Sequence, residues 1–112
     1  MVSTSVRALT YAQAVNEAFH QEFERDPSVI LMGEDIAGGA GRSEFEDAWG
    51  GVFKLTGGLI GKFGPERVRD TPISENGFVG AAVGAAATGL RPIADLMFVG
   101  FVGVCGDQIF NN

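Results

Sequence analysis

The 112-residue chain contains one cysteine, one tryptophan, one tyrosine and four prolines. The single Cys105 excludes an intrachain disulfide and provides no pair of thiols for a metal, so it reads as an inert core thiol suited to a reducing compartment. Basic side chains are scarce: eight against fourteen acidic ones leave a net charge of -6. Nucleic acid, duplex or single-stranded, requires a concentrated Lys/Arg footprint that is missing here. Long apolar runs are missing too. The N-terminal MVSTSVRALTYAQ has no signal-peptide core, and the apolar stretch after Asn76 is interrupted by Arg91, Pro92 and Asp95 before it spans a bilayer. These absences argue against nucleic-acid and membrane partners and predict a cytoplasmic protein.

Glycine is absent from the first 32 residues and then abundant, all 17 lying between Gly33 and Gly106. That is about 15% of the chain, against a usual level of about 7%. No Gly-X-Y period suggests collagen, and nine phenylalanines exclude a disordered linker. The backbone after residue 32 must therefore turn tightly or be closely approached. A chain this short forms at most one domain and buries only about 60–70% of its unfolded surface.

The pattern along the chain alternates helix and strand. Thr10 and Gln13 have capping-box spacing, and Ala12, Val15, Phe19 and Phe23 recur at helical intervals, predicting a helix from Tyr11 to Arg25. Asp26-Pro27 ends it. Val29-Ile30-Leu31-Met32 is short enough for a buried parallel strand and is stopped by Gly33. Glu34 to Gly64, with GEDIAGGAG and the acidic, aromatic SEFEDAW, reads as a surface loop with a weak helix over Val52–Phe63. Arg67–Asp70 is a short strand leading to the loop of Thr71-Pro72-Ile73-Ser74-Glu75. A glycine/alanine helix follows over Asn76–Thr88 with Gly89 as its cap, then a strand over Pro92–Phe98 and a further helix from Phe101 to Phe110. The predicted fold class is α/β, a parallel sheet flanked by helices. Among the last 42 residues only Glu75, Arg91, Asp95 and Asp107 are charged. So apolar a segment predicts either a larger domain or a covering partner, the alternative being a small globule with a glycine-rich, loosely packed core.

Several residues are candidates for chemistry. Glu75 opens the glycine/alanine helix beside Ile73, Phe78 and Val79. It is either a capping carboxylate or a partly desolvated acid that shares a proton with a cofactor nitrogen, and spacing does not decide between them. Glu34-Asp35 follows the first strand, where open parallel sheets place ligand-binding groups, although adjacent acids also form solvated turns. Met97, Phe98 and Phe101 form an apolar cluster after the last strand, either core or a platform for a cofactor ring. His20 has no local metal or nucleophile companion and reads as structural. The glycines match neither the phosphate loop G-x-x-x-x-G-K-[ST] nor G-x-G-x-x-G, and no metal site is expected.

The run DTPISENGFVGAAVGAAATGLRPIADLMF, preceded in order by ALTYAQAVNEAF, VILMGEDI and GGVFKLTGGLIGKFGPERV, resembles the beta subunit of thiamine-diphosphate-dependent 2-oxo acid dehydrogenases. That family includes pyruvate dehydrogenase and the similar acetoin dehydrogenase. The resemblance covers the chain from Ala8 onward and stops inside the family's first, pyrimidine-binding domain, of transketolase-like fold. It implies a partial pyrimidine-binding domain over residues 1–112. It also implies that thiamine diphosphate lies between two subunits, the alpha subunit holding the diphosphate and Mg2+. By the same resemblance Glu75 matches the glutamate that hydrogen-bonds the pyrimidine N1' and favours its imino form. Phe101 matches an aromatic residue stacked near the pyrimidine, Ile73 and Met97 match neighbouring apolar contacts, and Glu34 matches an acid that organises the site. Val104 stands where many relatives carry glutamine, and Gly58 where many carry a basic residue. The implied partners are an alpha subunit, a second copy of the chain and a lipoyl-bearing acyltransferase. The expectation is a partial beta subunit that is inactive alone; the alternative is a non-catalytic assembly module that keeps the same fold.

Overall fold

The computed structural model describes residues 6–38 and 49–112. Gly39, Gly41 and most of the acidic, aromatic stretch at 43–48 lie outside the described residues. The elements run α1 (Tyr11–Arg25), β1 (Val29–Gly33), α2 (Leu59–Phe63), β2 (Val68–Asp70), α3 (Glu75–Ala87) and β3 (Arg91–Asp95). A 3-10 helix (Val99–Gly103) and α4 (Gly106–Phe110) complete the described chain.

Helix α1 begins where the capping box predicts: the Gln13 amide donates to the Thr10 hydroxyl, and the Gln13 side chain accepts from the Thr10 N–H. At its other end Asp26 leaves helical geometry and turns its carboxylate onto the Ser28 amide and hydroxyl, 2.8 and 2.6 Å away. The chain therefore enters β1 with a fixed direction.

The described strands form one parallel sheet in the order β2-β1-β3, with Gly33 in register with both Asp70 and Asp95. All five β1 residues are buried, as a strand covered on both faces requires. Side chains alternate along it. Val29 and Leu31 join Phe23, Leu59 and Val68 on the face covered by α1 and α2, whereas Ile30 and Met32 join Phe78, Val79 and Cys105 on the face covered by α3. Cys105 is a free, fully buried thiol.

Three elements differ from the sequence expectation by more than a residue at a boundary, each for a local reason. The helix expected over Val52–Phe63 exists only as Leu59–Phe63, because Lys54 and Gly58 adopt left-handed backbone at φ 62° and 80° and no helix continues through them. The last strand stops at Asp95 rather than Phe98, since Met97 also has positive φ, 65°. The expected final helix is divided: a 3-10 turn precedes α4, with Cys105 as the cap between them. Within the described chain, Gly80 of α3 makes room for a side chain of α4. A β-carbon at Gly80 would lie 2.6 Å from the Gln108 side chain of α4, while one at Gly84 would meet nothing within 4 Å.

Candidate functional site

Parallel pairing brings the carboxyl ends of β1, β2 and β3 to one edge of the sheet. The chain leaves β1 toward β2 on one side and later returns to β3 on the other, so the gap between the ends of β1 and β3 is where such sheets hold ligands. At this gap the strands are as close as glycine allows: a β-carbon on Gly33 would sit 2.8 Å from the Asp95 carbonyl oxygen.

A shallow, open cleft lies above the gap, with Glu34, Val52, Phe53, Asp95 and Met97 on its walls. Each wall is set locally. Asp95 accepts a hydrogen bond from the Met97 amide at 2.8 Å, an Asx-type turn that holds Met97 in its left-handed conformation. Phe53 stands on the turn 50–57, where Gly50 and Gly51 have φ of 82° and 76°. Its ring meets Phe98 edge-on at 5.3 Å, and Phe98 meets Phe101 in the same manner at 5.7 Å. An aromatic row therefore runs from the cleft to the 3-10 helix.

The sequence candidates are distributed along this edge. Glu34 and Met97 line the cleft. Phe101, half-buried, is reached through the aromatic row. Ile73 is 76% exposed in the loop before α3. Glu75 is half-buried at the first position of α3, behind a Ser74 cap whose side chain makes no capping bond. No hydrogen bond or ion pair joins the Glu75 carboxylate to any described residue; it stands in the first turn of α3, where a carboxylate faces the positive end of the helix dipole. His20 is committed: its Nε2 lies 3.1 Å from the Gly57 carbonyl, which with the Leu55 carbonyl also accepts from Asn16. Phe53 and Asp95 were not singled out by pattern. Asp95 carries a sequence signal nonetheless, as a carboxylate at the carboxyl end of a parallel strand.

Carboxylates predominate at the strand ends, with Lys54 on the neighbouring turn. Glu34 and Asp35 after β1, Asp70 at the end of β2, Glu75 opening α3 and Asp95 at the end of β3 are all carboxylates. Of the candidates, Glu34 and Met97 meet at the cleft, whereas Ile73, Glu75 and Phe101 are not among the residues that line it. Among the described residues no three His, Cys, Asp or Glu side chains come together as a metal site. No described helix is long and apolar enough to cross a membrane.

Residues 7–112 match the family described as transketolase, pyrimidine binding domain. The chain is 61% identical over 105 residues to the acetoin:2,6-dichlorophenolindophenol oxidoreductase subunit beta of Cupriavidus necator, a match covering 94% of the chain and 31% of that protein. It is 52% identical over 107 residues to the subunit of the same name from Bacillus subtilis, again 94% of the chain and 31% of the relative. Against a mitochondrial pyruvate dehydrogenase E1 component subunit beta-2 of Oryza sativa subsp. japonica it is 43% identical over 110 residues, 98% of the chain and 27% of the relative. The chain thus spans about a third or less of the length of the curated relatives it matches. It belongs to the transketolase pyrimidine-binding domain family, and corresponds to the pyrimidine-binding N-terminal region of the acetoin and pyruvate dehydrogenase beta subunits.

Proposed function

We propose that this chain forms the pyrimidine-binding part of a beta subunit in a thiamine-diphosphate-dependent enzyme that cleaves acetoin or decarboxylates a 2-oxo acid. The observation that carries this reading is the Glu75 carboxylate, without a hydrogen-bond or ion-pair partner among the described residues and opening α3 beyond the carboxyl end of β2, within a chain so similar to the acetoin subunits. Thiamine diphosphate supplies, when bound, a nucleophilic carbon that adds to a carbonyl and accepts the electron pair released on C–C cleavage. Glu75 holds and moves a proton at the pyrimidine N1'. Phe101 and Met97 offer apolar surface to the ring, Ile73 closes one side, and Glu34 orients polar groups at the cleft.

By the family resemblance an alpha subunit holds the diphosphate and Mg2+, and the carboxylates Glu34, Asp70 and Asp95 at this edge offer a diphosphate no counter-charge. Association is supported by apolar side chains that the described residues leave open, among them Val99 at 89% and Phe110 at 80% exposure. These also favour the second reading, an assembly module that binds an alpha subunit or a second copy without chemistry of its own. In the catalytic reading the acyl unit passes to a lipoyl-bearing acyltransferase, and the chain alone does not turn over.

Thiamine diphosphate binding and turnover of acetoin and pyruvate, measured for the chain mixed with an acetoin-type alpha subunit, separate the two. Glu75→Ala should weaken binding by about tenfold or more, the effect of losing one hydrogen bond to a charged group. A mixture that assembles but binds cofactor equally well with and without the Glu75 carboxylate supports the assembly module and refutes the catalytic reading.

A further inference from the structure

The peptide group between Ile36 and Ala37 is gripped at both ends by side chains from two other segments. Its oxygen accepts a hydrogen bond from the Thr56 hydroxyl at 2.5 Å, and its N–H donates to the Asp70 carboxylate at 2.6 Å. Ile36, Ala37 and Thr56 are only 3%, 8% and 2% exposed. Water does not readily replace either bond at such a depth, so losing one leaves a buried polar group unpaired.

The two gripping side chains are themselves fixed. Thr56 ends the turn that begins at Gly50, closed by the Thr56 amide donating to the Gly50 carbonyl at 3.0 Å. A β-carbon on Gly50 would come within 2.5 Å of Gly57, so this turn takes no side chain there. Asp70 ends β2, held in register against Gly33. One peptide plane therefore joins three segments at the ligand-binding edge: the turn after β1 that carries Glu34, the turn that carries Phe53, and the strand end that leads to Glu75.

We propose that Thr56 and Asp70 are positioning residues which, through the Ile36–Ala37 peptide, set the Glu34 turn against the strand end preceding Glu75. This rests on the reading of the edge as a pyrimidine site. Neither residue touches the reacting groups; each acts through the peptide it holds.

Thr56→Val keeps the side-chain shape and deletes the hydroxyl, whereas Thr56→Ser keeps the hydroxyl. In hydrogen exchange on the chain alone, Thr56→Val should speed exchange at the Ala37 amide by about tenfold or more while the α1 amides exchange as in wild type. Thr56→Ser should restore protection. In the mixture with an alpha subunit, Thr56→Val should weaken thiamine diphosphate binding by about tenfold, and Thr56→Ser should return it to within about twofold of wild type. Asp70→Asn retains an acceptor oxygen without its charge and should give a smaller rise in Ala37 exchange; it carries the test if Thr56→Val does not fold. Unchanged Ala37 exchange in these variants, or an affinity loss that Thr56→Ser does not repair, overturns the proposal. A wild-type mixture that binds no cofactor overturns the functional reading and the clamp's part in it, while faster Ala37 exchange in that case would still establish the clamp.

Discussion

Replacing Arg67 by methionine tests what fastens α1 to the sheet. The guanidinium donates to three backbone oxygens, those of Phe23 at 3.0 Å, Asp26 at 2.8 Å and Val29 at 2.9 Å. The Phe23 carbonyl lies in the last turn of α1, where helical partners run out, and a positive charge there faces the negative end of the helix dipole. The same group lies over the Phe23 ring at 4.6 Å and the Phe63 ring at 5.3 Å. Methionine keeps much of the apolar stem, so the polar loss dominates. A hydrogen bond to a charged group contributes about 1.5–3 kcal/mol, but three on one half-buried side chain are not additive; about 1 kcal/mol each is the conservative figure. Adding about 0.5–1 kcal/mol for the ring contacts gives about 3–4 kcal/mol. That is a large share of the about 5–15 kcal/mol by which domains are usually stable. Urea unfolding followed by far-UV circular dichroism reads it as a midpoint lower by about 1 M or more. Arg67→Lys retains the charge without the fork and should recover less than half of the loss. A change below about 0.5 kcal/mol for Arg67→Met would refute the reasoning, and full recovery by lysine would assign the effect to the dipole instead.

Other perturbations follow from the same geometry. Gly84→Ala meets open space and should stabilise the chain by about 0.5–1 kcal/mol through helix propensity, whereas Gly80→Leu must displace Gln108 and α4 and should destabilise it; equal effects in thermal melts would contradict the packing described. Asp95→Ala removes the acceptor that holds the left-handed Met97 and should cost about 1–2 kcal/mol in urea unfolding, with Met97→Gly recovering part of it in the same background. The Asp26 carboxyl is held below its ordinary value, first by the Ser28 hydroxyl and amide and then by Arg91 and Arg25. Because the folded value is depressed, this contribution is fully present above about pH 3.9 and is lost as pH falls through the folded value. Asp26→Asn should therefore flatten the acid limb of a stability–pH curve, and an unchanged limb would show that Asp26 is not its source.

How much of this was legible in the sequence differs from element to element. Helix α1 carried its own start signal in Thr10 and Gln13, and the VILM run with its glycine stop could hardly be other than a buried strand. Glu75 was legible as a candidate because it opens α3, but only the folded chain reveals that no described partner claims its carboxylate. The turn at 50–57 was not legible, since its shape depends on left-handed residues and on Thr56 reaching a carbonyl 20 positions earlier in the chain. Nor was Phe53, which enters the cleft wall by contact with Phe98, far along the chain. Periodicity reports which face is buried; it does not report which distant segments meet at a turn.

The placement of β1 between its two neighbours has a cost in time. Val29 pairs with Arg91, which follows it by 62 residues, and Leu31 pairs with Val68, which follows it by 37. Contacts so distant in sequence form slowly, because the intervening loops must close before any pairing rewards them. At a synthesis rate of about 5–20 residues per second, the apolar VILM segment waits at least a few seconds before both neighbouring strands have been made. For that interval it is an unpaired, charge-free strand, the kind of segment that chaperones bind and that aggregates when they do not.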